Sequence, residues 1–135
     1  MPDGAQPIGG YRVGVSLATV SGEPTRDRYL QLIASSDALI FVVDSQRSRL
    51  QANLDCIAVV RGVLAELSRP DLMLSVQLNK RDLPDIVEAD ELARLLEVRL
   101  PHFPMGVASL GVGVFEAMTV PLVNLFRAER AIRSR

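Results

Sequence analysis

LMLSVQLNKRDLP, residues 72–84, is an apolar run that turns polar in a single step. Leu72 to Leu78 has the length and composition of a β-strand, and Asn79 to Pro84 reads as a polar loop at its C-terminal end. Upstream, Ala38 to Val43 (ALIFVV) is a second apolar run, closed by Asp44. A continuous apolar run between polar residues suggests a strand buried on both faces, as in a parallel sheet. Residues 46–67, between the two runs, predict a long helix. Leu50, Leu54, Ile57, Val60, Leu64 and Leu67 recur at three- and four-residue steps and form one apolar stripe. Pro70 is expected to end it.

The same alternation continues outward. Tyr11 to Val20 is strand-like, with Val13, Val15 and Leu17 on one face, and residues 25–36 read as a short helix carrying Tyr29, Leu30 and Ile33. Glu88 to Val98 predicts a helix with Leu92, Leu95 and Leu96 turned inward. Residues 103–108 (FPMGVA) read as a short strand weakened by Pro104 and Gly106. Val112 to about Arg133 predicts a terminal helix that Pro121 should kink or restart, at roughly 3 kcal/mol if it is interior. Strand and helix alternate four times, which means α/β with a mainly parallel sheet flanked by helices. Residues 1–10 read as a disordered leader and 11–135 as one domain. In open parallel sheets ligands bind beyond the carboxyl ends of the strands, so the loops after Val20, Val43, Leu78 and Ala108 should line any site.

Composition excludes several functions. The chain has 135 residues, 48% of them hydrophobic, and a formal net charge of −1, so it is no globally basic nucleic-acid binder. Aromatic residues make up 4% and Trp is absent, which argues against base-stacking platforms. One cysteine, Cys56, permits no internal disulfide, and one histidine, His102, permits no multi-histidine metal site. No run is long enough to span a bilayer, and the first ten residues lack a signal-peptide core; a cytoplasmic protein is expected.

Asn79-Lys80-Arg81-Asp82, directly after an apolar strand, resembles the N-K-x-D guanine-recognition motif of the Ras-like small GTPases. The resemblance implies that the Asp82 carboxylate accepts hydrogens from N1 and the 2-amino group of guanine. Adenine offers neither, and would leave a buried acceptor unpaired. Asn79 would brace the loop and the base edge, and the stem of Lys80 would cover the ring face. The plain structural alternative is a solvated turn in which Asp82 caps a helix.

Val107-Ala108-Ser109 then resembles the S-A-x loop of the same family, in which an alanine N–H donates to guanine O6; Ala108 is the matching position. Val107 stands where serine is usual, which puts the loop's internal hydrogen bond in question. The plain alternative is a strand-to-helix turn with Gly111 and Gly113 supplying flexibility. Thr19-Val20-Ser21-Gly22-Glu23 resembles the D-x-x-G-Q opening of switch II, making Thr19, Gly22 and Glu23 a switch II remnant. Thr19 in place of aspartate, together with residues 41–46, 79–84 and 111–116, is similar to the bacterial gliding-motility and cell-polarity (MglA-like) branch. Glu23 departs from the family's glutamine; a carboxylate there would repel a γ-phosphate and orient water poorly.

A P-loop requires G-x-x-x-x-G-K-[ST], whose lysine reaches the β- and γ-phosphates. Lys80 is the one lysine of this sequence, and Gly9-Gly10 is followed by Tyr11-Arg12, so the motif is absent from these residues. The switch I threonine has no counterpart either. The fold expected is therefore a truncated Ras-like, P-loop-NTPase-type α/β domain. In that fold the first strand lies mid-sheet, and its loss leaves open strand edges. The remaining strands then pair across the gap, or the N-terminal segment or a second chain supplies a strand, or the true start lies upstream.

The remaining chemistry-bearing residues have structural readings. Cys56 reads as a packing residue of the long helix and His102 as a surface histidine. Asp44 or Ser45 is expected to cap the long helix, with a nucleotide contact from this edge as the lesser reading. Glu88, Asp90 and Glu91 suit the positive end of their helix. Arg127, Arg130, Arg133 and Arg135 read as a solvated helix end, with an anionic partner or membrane surface as the alternative.

The function read from this is a degenerate small-GTPase-like regulatory or scaffold protein, a pseudo-GTPase of cell polarity or gliding motility by family resemblance. Asn79, Lys80, Asp82, Ala108 and Ser109 would hold the guanine. No catalytic residue and no metal ligand is assigned. GTP or GDP would be held weakly, and Mg²⁺ is not expected without a P-loop. The resemblance implies a roadblock-type regulator or a sister GTPase as partner, and neither nucleic acid nor a transmembrane segment. The alternatives are an N-terminally truncated but competent GTPase and an interaction module that binds no nucleotide.

Overall fold

The structure is a computed structural model and describes residues 14–20, 25–98 and 105–134. Its elements, in chain order, are helix α1 (Arg26–Ala34), strand β1 (Ala38–Asp44), a 3₁₀ turn (Arg47–Arg49), helix α2 (Leu50–Glu66), strand β2 (Met73–Asn79), helix α3 (Ala89–Leu95), a second 3₁₀ turn (Ala108–Leu110) and helix α4 (Val114–Arg133). β1 and β2 pair in parallel, with Phe41 opposite Val76, Val43 opposite Leu78 and Asp44 opposite Asn79. This is the α/β arrangement expected, consistent with a truncated Ras-like domain. Among the described residues the sheet has two strands.

Side chains alternate across a strand, and the two faces differ. Phe41, Val43, Val76 and Leu78 share one face, where Ile57 of α2 and Leu92 and Leu96 of the α3 region close over them with Val87. A second cluster, Ile33, Val60, Val63 and Leu72, joins α1 to α2. Each such buried side chain contributes roughly 1.5–3 kcal/mol. On the opposite face α4 lies against both strands, with Ala117 and Pro121 buried. That cover is partial: Val42 remains 50% exposed, so β1 is not buried on both faces.

Several expectations change. The strand predicted over Tyr11–Val20 is not formed at residues 14–20, where Val15 and Leu17 are exposed; period-two alternation makes a strand only where an edge pairs with it. Leu95 is exposed, and Ala93 takes the inward position instead. The strand expected at 103–108 is reduced to single bridges, Leu78 with Met105 and Val107 with Val112, and Phe103 and Pro104 lie outside the described residues. α4 runs unbroken through Pro121 rather than restarting; the ring is buried, and that burial offsets part of the lost backbone bond. α2 stops at Glu66, ahead of Pro70: Ser68 turns left-handed (φ 51°) and the Arg69 N–H donates to the Leu64 carbonyl at 3.0 Å. The expected leader, Gly22, Glu23 and His102 lie outside the described residues. Among the described residues no helix is long and apolar enough to cross a membrane.

Candidate functional site

β2 delivers its last residue, Asn79, to the carboxyl end of the sheet, where Lys80 turns the chain sharply (φ 59°). The loop that follows is tied down residue by residue. The Gly106 N–H donates to the Leu78 carbonyl at 2.7 Å, and the Arg81 N–H donates to the Gly106 carbonyl at 3.2 Å. Arg81 also donates through its guanidinium to the Val87 carbonyl at 2.7 Å. Asn79 Oδ1 accepts the Ala108 N–H at 2.8 Å. The two loops expected to hold the base are thus one unit.

Between them lies a cavity of ≈ 210 Å³ walled by Asn79, Lys80, Asp82 and Leu83 on one side and Val107, Ala108 and Ser109 on the other. Pockets that enclose a drug-sized ligand run to about 300–1,000 Å³, so this one is smaller than a site that encloses a whole small molecule. Asp82 is exposed, and α3 begins after Glu88, so Asp82 caps no helix. The five residues expected at the base are therefore neighbours. The Ala108 N–H, expected to meet guanine O6, donates here to Asn79 Oδ1. Val107, in place of serine, has no side-chain hydroxyl to offer, and the tie between the loops runs through the Ala108 backbone amide.

Thr19 stands elsewhere. With Val20 it lines a shallow concavity of ≈ 390 Å³ against Arg28, Gln31 and Leu32 of α1, which shares no residue with the cavity beyond β2. Among the described residues no group of three His, Cys, Asp or Glu could hold a metal ion.

Asp44, the last residue of β1, pairs with Lys80 of the cavity wall. It was expected as a helix cap, but α2 and the 3₁₀ turn before it carry no side-chain cap. Its carboxylate instead accepts Lys80 Nζ at 2.8 Å, and the Gln46 N–H and Nε2 at 3.1 Å. Desolvation pushes the carboxyl upward, but the hydrogen bonds from Lys80 and Gln46, with the lysine's charge, outweigh it and hold Asp44 below the usual carboxylate range. Asn53 of α2, buried, clasps the same residue through its backbone: Oδ1 accepts the Asp44 N–H at 3.3 Å and Nδ2 donates to its carbonyl at 2.8 Å.

Gln77 was also missed. It is buried in β2, two residues before Asn79 on the same face, and its Nε2 donates to the Gly113 carbonyl at 3.1 Å. Gln77 and Asn79 therefore staple the far loop at two points. The signal was present: Gln77 is a polar residue inside an apolar strand and Asn53 a polar one inside an apolar stripe, and a buried polar group marks a specific partner.

No protein-family model matches the chain. The chain is 36% identical over 115 residues to the mutual gliding-motility protein MglA of Myxococcus xanthus (strain DK1622), an alignment that takes in 82% of this chain and 58% of MglA. The chain thus spans less than two thirds of that relative's length. The similarity supports the resemblance to the MglA-like branch that the motifs carry.

Proposed function

We propose that this chain is a small-GTPase-like protein of the gliding-motility and cell-polarity branch that uses the cavity beyond β2 to recognise guanine. The observation that carries the reading is the union of the Asn79–Asp82 loop with the Ala108–Ser109 loop around a space of base size. Asp82 would select guanine, Asn79 would hold the two loops in register, and the stem of Lys80 would cover the ring. A bound GTP or GDP would carry the phosphates whose clamping supplies most of the affinity and rate in this reaction class. These residues would supply the base end of such a site, and the role proposed with it is a regulatory or scaffold one. A roadblock-type regulator or a sister GTPase is the partner that the family resemblance suggests.

The test is calorimetric titration of the full chain with GDP, GTP and ATP, with and without Mg²⁺. Guanine-selective binding that Asp82→Ala abolishes is the expected result. No binding up to about millimolar, roughly −4 kcal/mol, would sink the guanine reading for this chain and favour an interaction module. A second reading rests on the coverage of MglA, of which the alignment takes in 58%: the chain would then be part of a competent GTPase. An in-frame upstream G-x-x-x-x-G-K-[ST] establishes that reading, and its absence removes it.

A further inference from the structure

We propose that Asp44 is a positioning residue of the guanine site, acting through Lys80: the carboxylate at the end of β1 fixes the lysine whose stem walls the base cavity at the end of β2. The proposal rests on the guanine-binding reading above and adds to it a residue outside the N-K-x-D loop.

Lys80 has four rotatable bonds and stands 45% exposed, on a loop residue with a left-handed backbone. Left alone, such a side chain samples many rotamers, and a ligand that needs its stem in one place bears the cost of ordering it. The structure removes that freedom in three successive steps. Asn53, buried in α2, fixes the backbone of Asp44 from both its N–H and its carbonyl. Gln46 fixes the Asp44 carboxylate with its own N–H and its side-chain amide. The carboxylate then holds Lys80 Nζ at 2.8 Å. β1 and β2 are in register at this level, so the anchor sits directly across from Asn79, the residue before Lys80. A half-exposed ion pair adds little to stability. Its effect is orientation: it ties the ammonium to β1 and leaves the apolar stem as a fixed wall for the ring.

Lys80 is the one lysine in the sequence, so its amine can be followed without interference from other side chains. Two measurements on the full chain test the proposal together. The first is the acylation rate of Lys80 by a succinimidyl ester, read by peptide mass spectrometry, which separates it from the terminal amine. The second is GDP affinity by calorimetry. Asp44→Asn keeps an acceptor for the Gln46 N–H and replaces the charged oxygen that holds the lysine by an amide NH₂, which donates and cannot accept from the ammonium. It is expected to raise the acylation rate several-fold and to weaken GDP binding by about tenfold. Asp44→Glu, which keeps the carboxylate, restores most of both. In a Lys80→Met background, Asp44→Asn has no further effect on GDP affinity, because the two residues act as one.

Unchanged acylation in Asp44→Asn, or additive losses in the double variant, would overturn the proposal while leaving guanine binding intact. Absence of GDP binding by the unaltered chain would overturn the guanine reading and this proposal with it, and the two failures are thereby told apart.

Discussion

The side-chain oxygen of Asn79 accepts the backbone N–H of Ala108 at 2.8 Å, joining the two loops that wall the cavity beyond β2. Asn79→Ala removes the acceptor and leaves the loops held by the Gly106, Arg81 and Gln77 bonds alone. The bond lies at an exposed position, so the expected loss of stability is about 0.5–1.5 kcal/mol, measured by urea unfolding. Asn79→Asp keeps an acceptor oxygen and should retain most of that stability. Equal stability of Asn79→Ala and the unaltered chain would show that the loops are held by other bonds.

Gly111 and Gly113 carry the same left-handed backbone, φ 73° and 75°, in different surroundings. A Cβ on Gly111 meets open space, so Gly111→Ala should cost only the backbone strain, about 1–2 kcal/mol. A Cβ on Gly113 would press into the Met105 carbonyl oxygen and the Gly106 Cα, both backbone and unable to yield cheaply. Gly113→Ala should therefore cost a further 1–3 kcal/mol or so. Thermal unfolding of the two variants side by side measures the difference, and equal midpoints would contradict it.

The elements legible in the sequence were those whose pattern reports their own surroundings. The apolar runs at 38–43 and 72–78 and the stripe from Leu50 to Leu67 became β1, β2 and α2, because each buries its apolar face against the others. The segment at 14–20 has a strand's alternation and no strand's pairing, since pairing is a property of the neighbouring edge and not of the segment. At the site, Asn79, Lys80, Asp82, Ala108 and Ser109 could be named because their types and order resemble a motif. The hydrogen bonds that hold them could not. Val107 says only that a serine is missing; that Asn79 turns to the Ala108 amide depends on how the loops meet. Asp44 reads as a cap from its place before a helix, and only the pairing of Asp44 with Asn79 across the sheet puts it beside Lys80.

Asn53 should matter more than its place on a helix suggests. Its amide satisfies both backbone groups of Asp44, and Asn53→Leu, similar in size and apolar, would leave them unpaired in a partly buried setting. The expected cost is about 1–3 kcal/mol, larger than for an exposed polar-to-apolar change on the same helix. Gln51→Leu, on the exposed side of α2, is the comparison; similar unfolding midpoints for the two variants would refute the clasp.

Asp44 also makes a small contribution to the acid dependence of stability. Its carboxyl titrates below the ordinary range, so the ionised form is favoured in the folded chain. The stability it contributes is present above the unfolded value, about pH 4, and is lost as pH falls through the lower folded value. Asp44→Asn should flatten this part of the acid limb of a stability–pH curve, and an unchanged limb would mean that the pair with Lys80 carries no linkage.

Tyr29 sets the corresponding alkaline limit. Its hydroxyl lies 3.2 Å from Cys56 Sγ, between α1 and α2. Burial, followed by the hydrogen bond and charge of Cys56, pushes the phenol from 10.0 up to about 12. A raised value favours the neutral form in the folded state. The stability that Tyr29 contributes is thus complete below about pH 10 and lost as pH rises through about 12. Tyrosinate absorbance should show a step near that upper value that disappears in Tyr29→Phe, and the same variant should lose the steep alkaline fall in stability. A Tyr29 step near pH 10 would mean that the helix pair leaves the phenol in water, and the contact with Cys56 would then contribute nothing to holding α1 on α2.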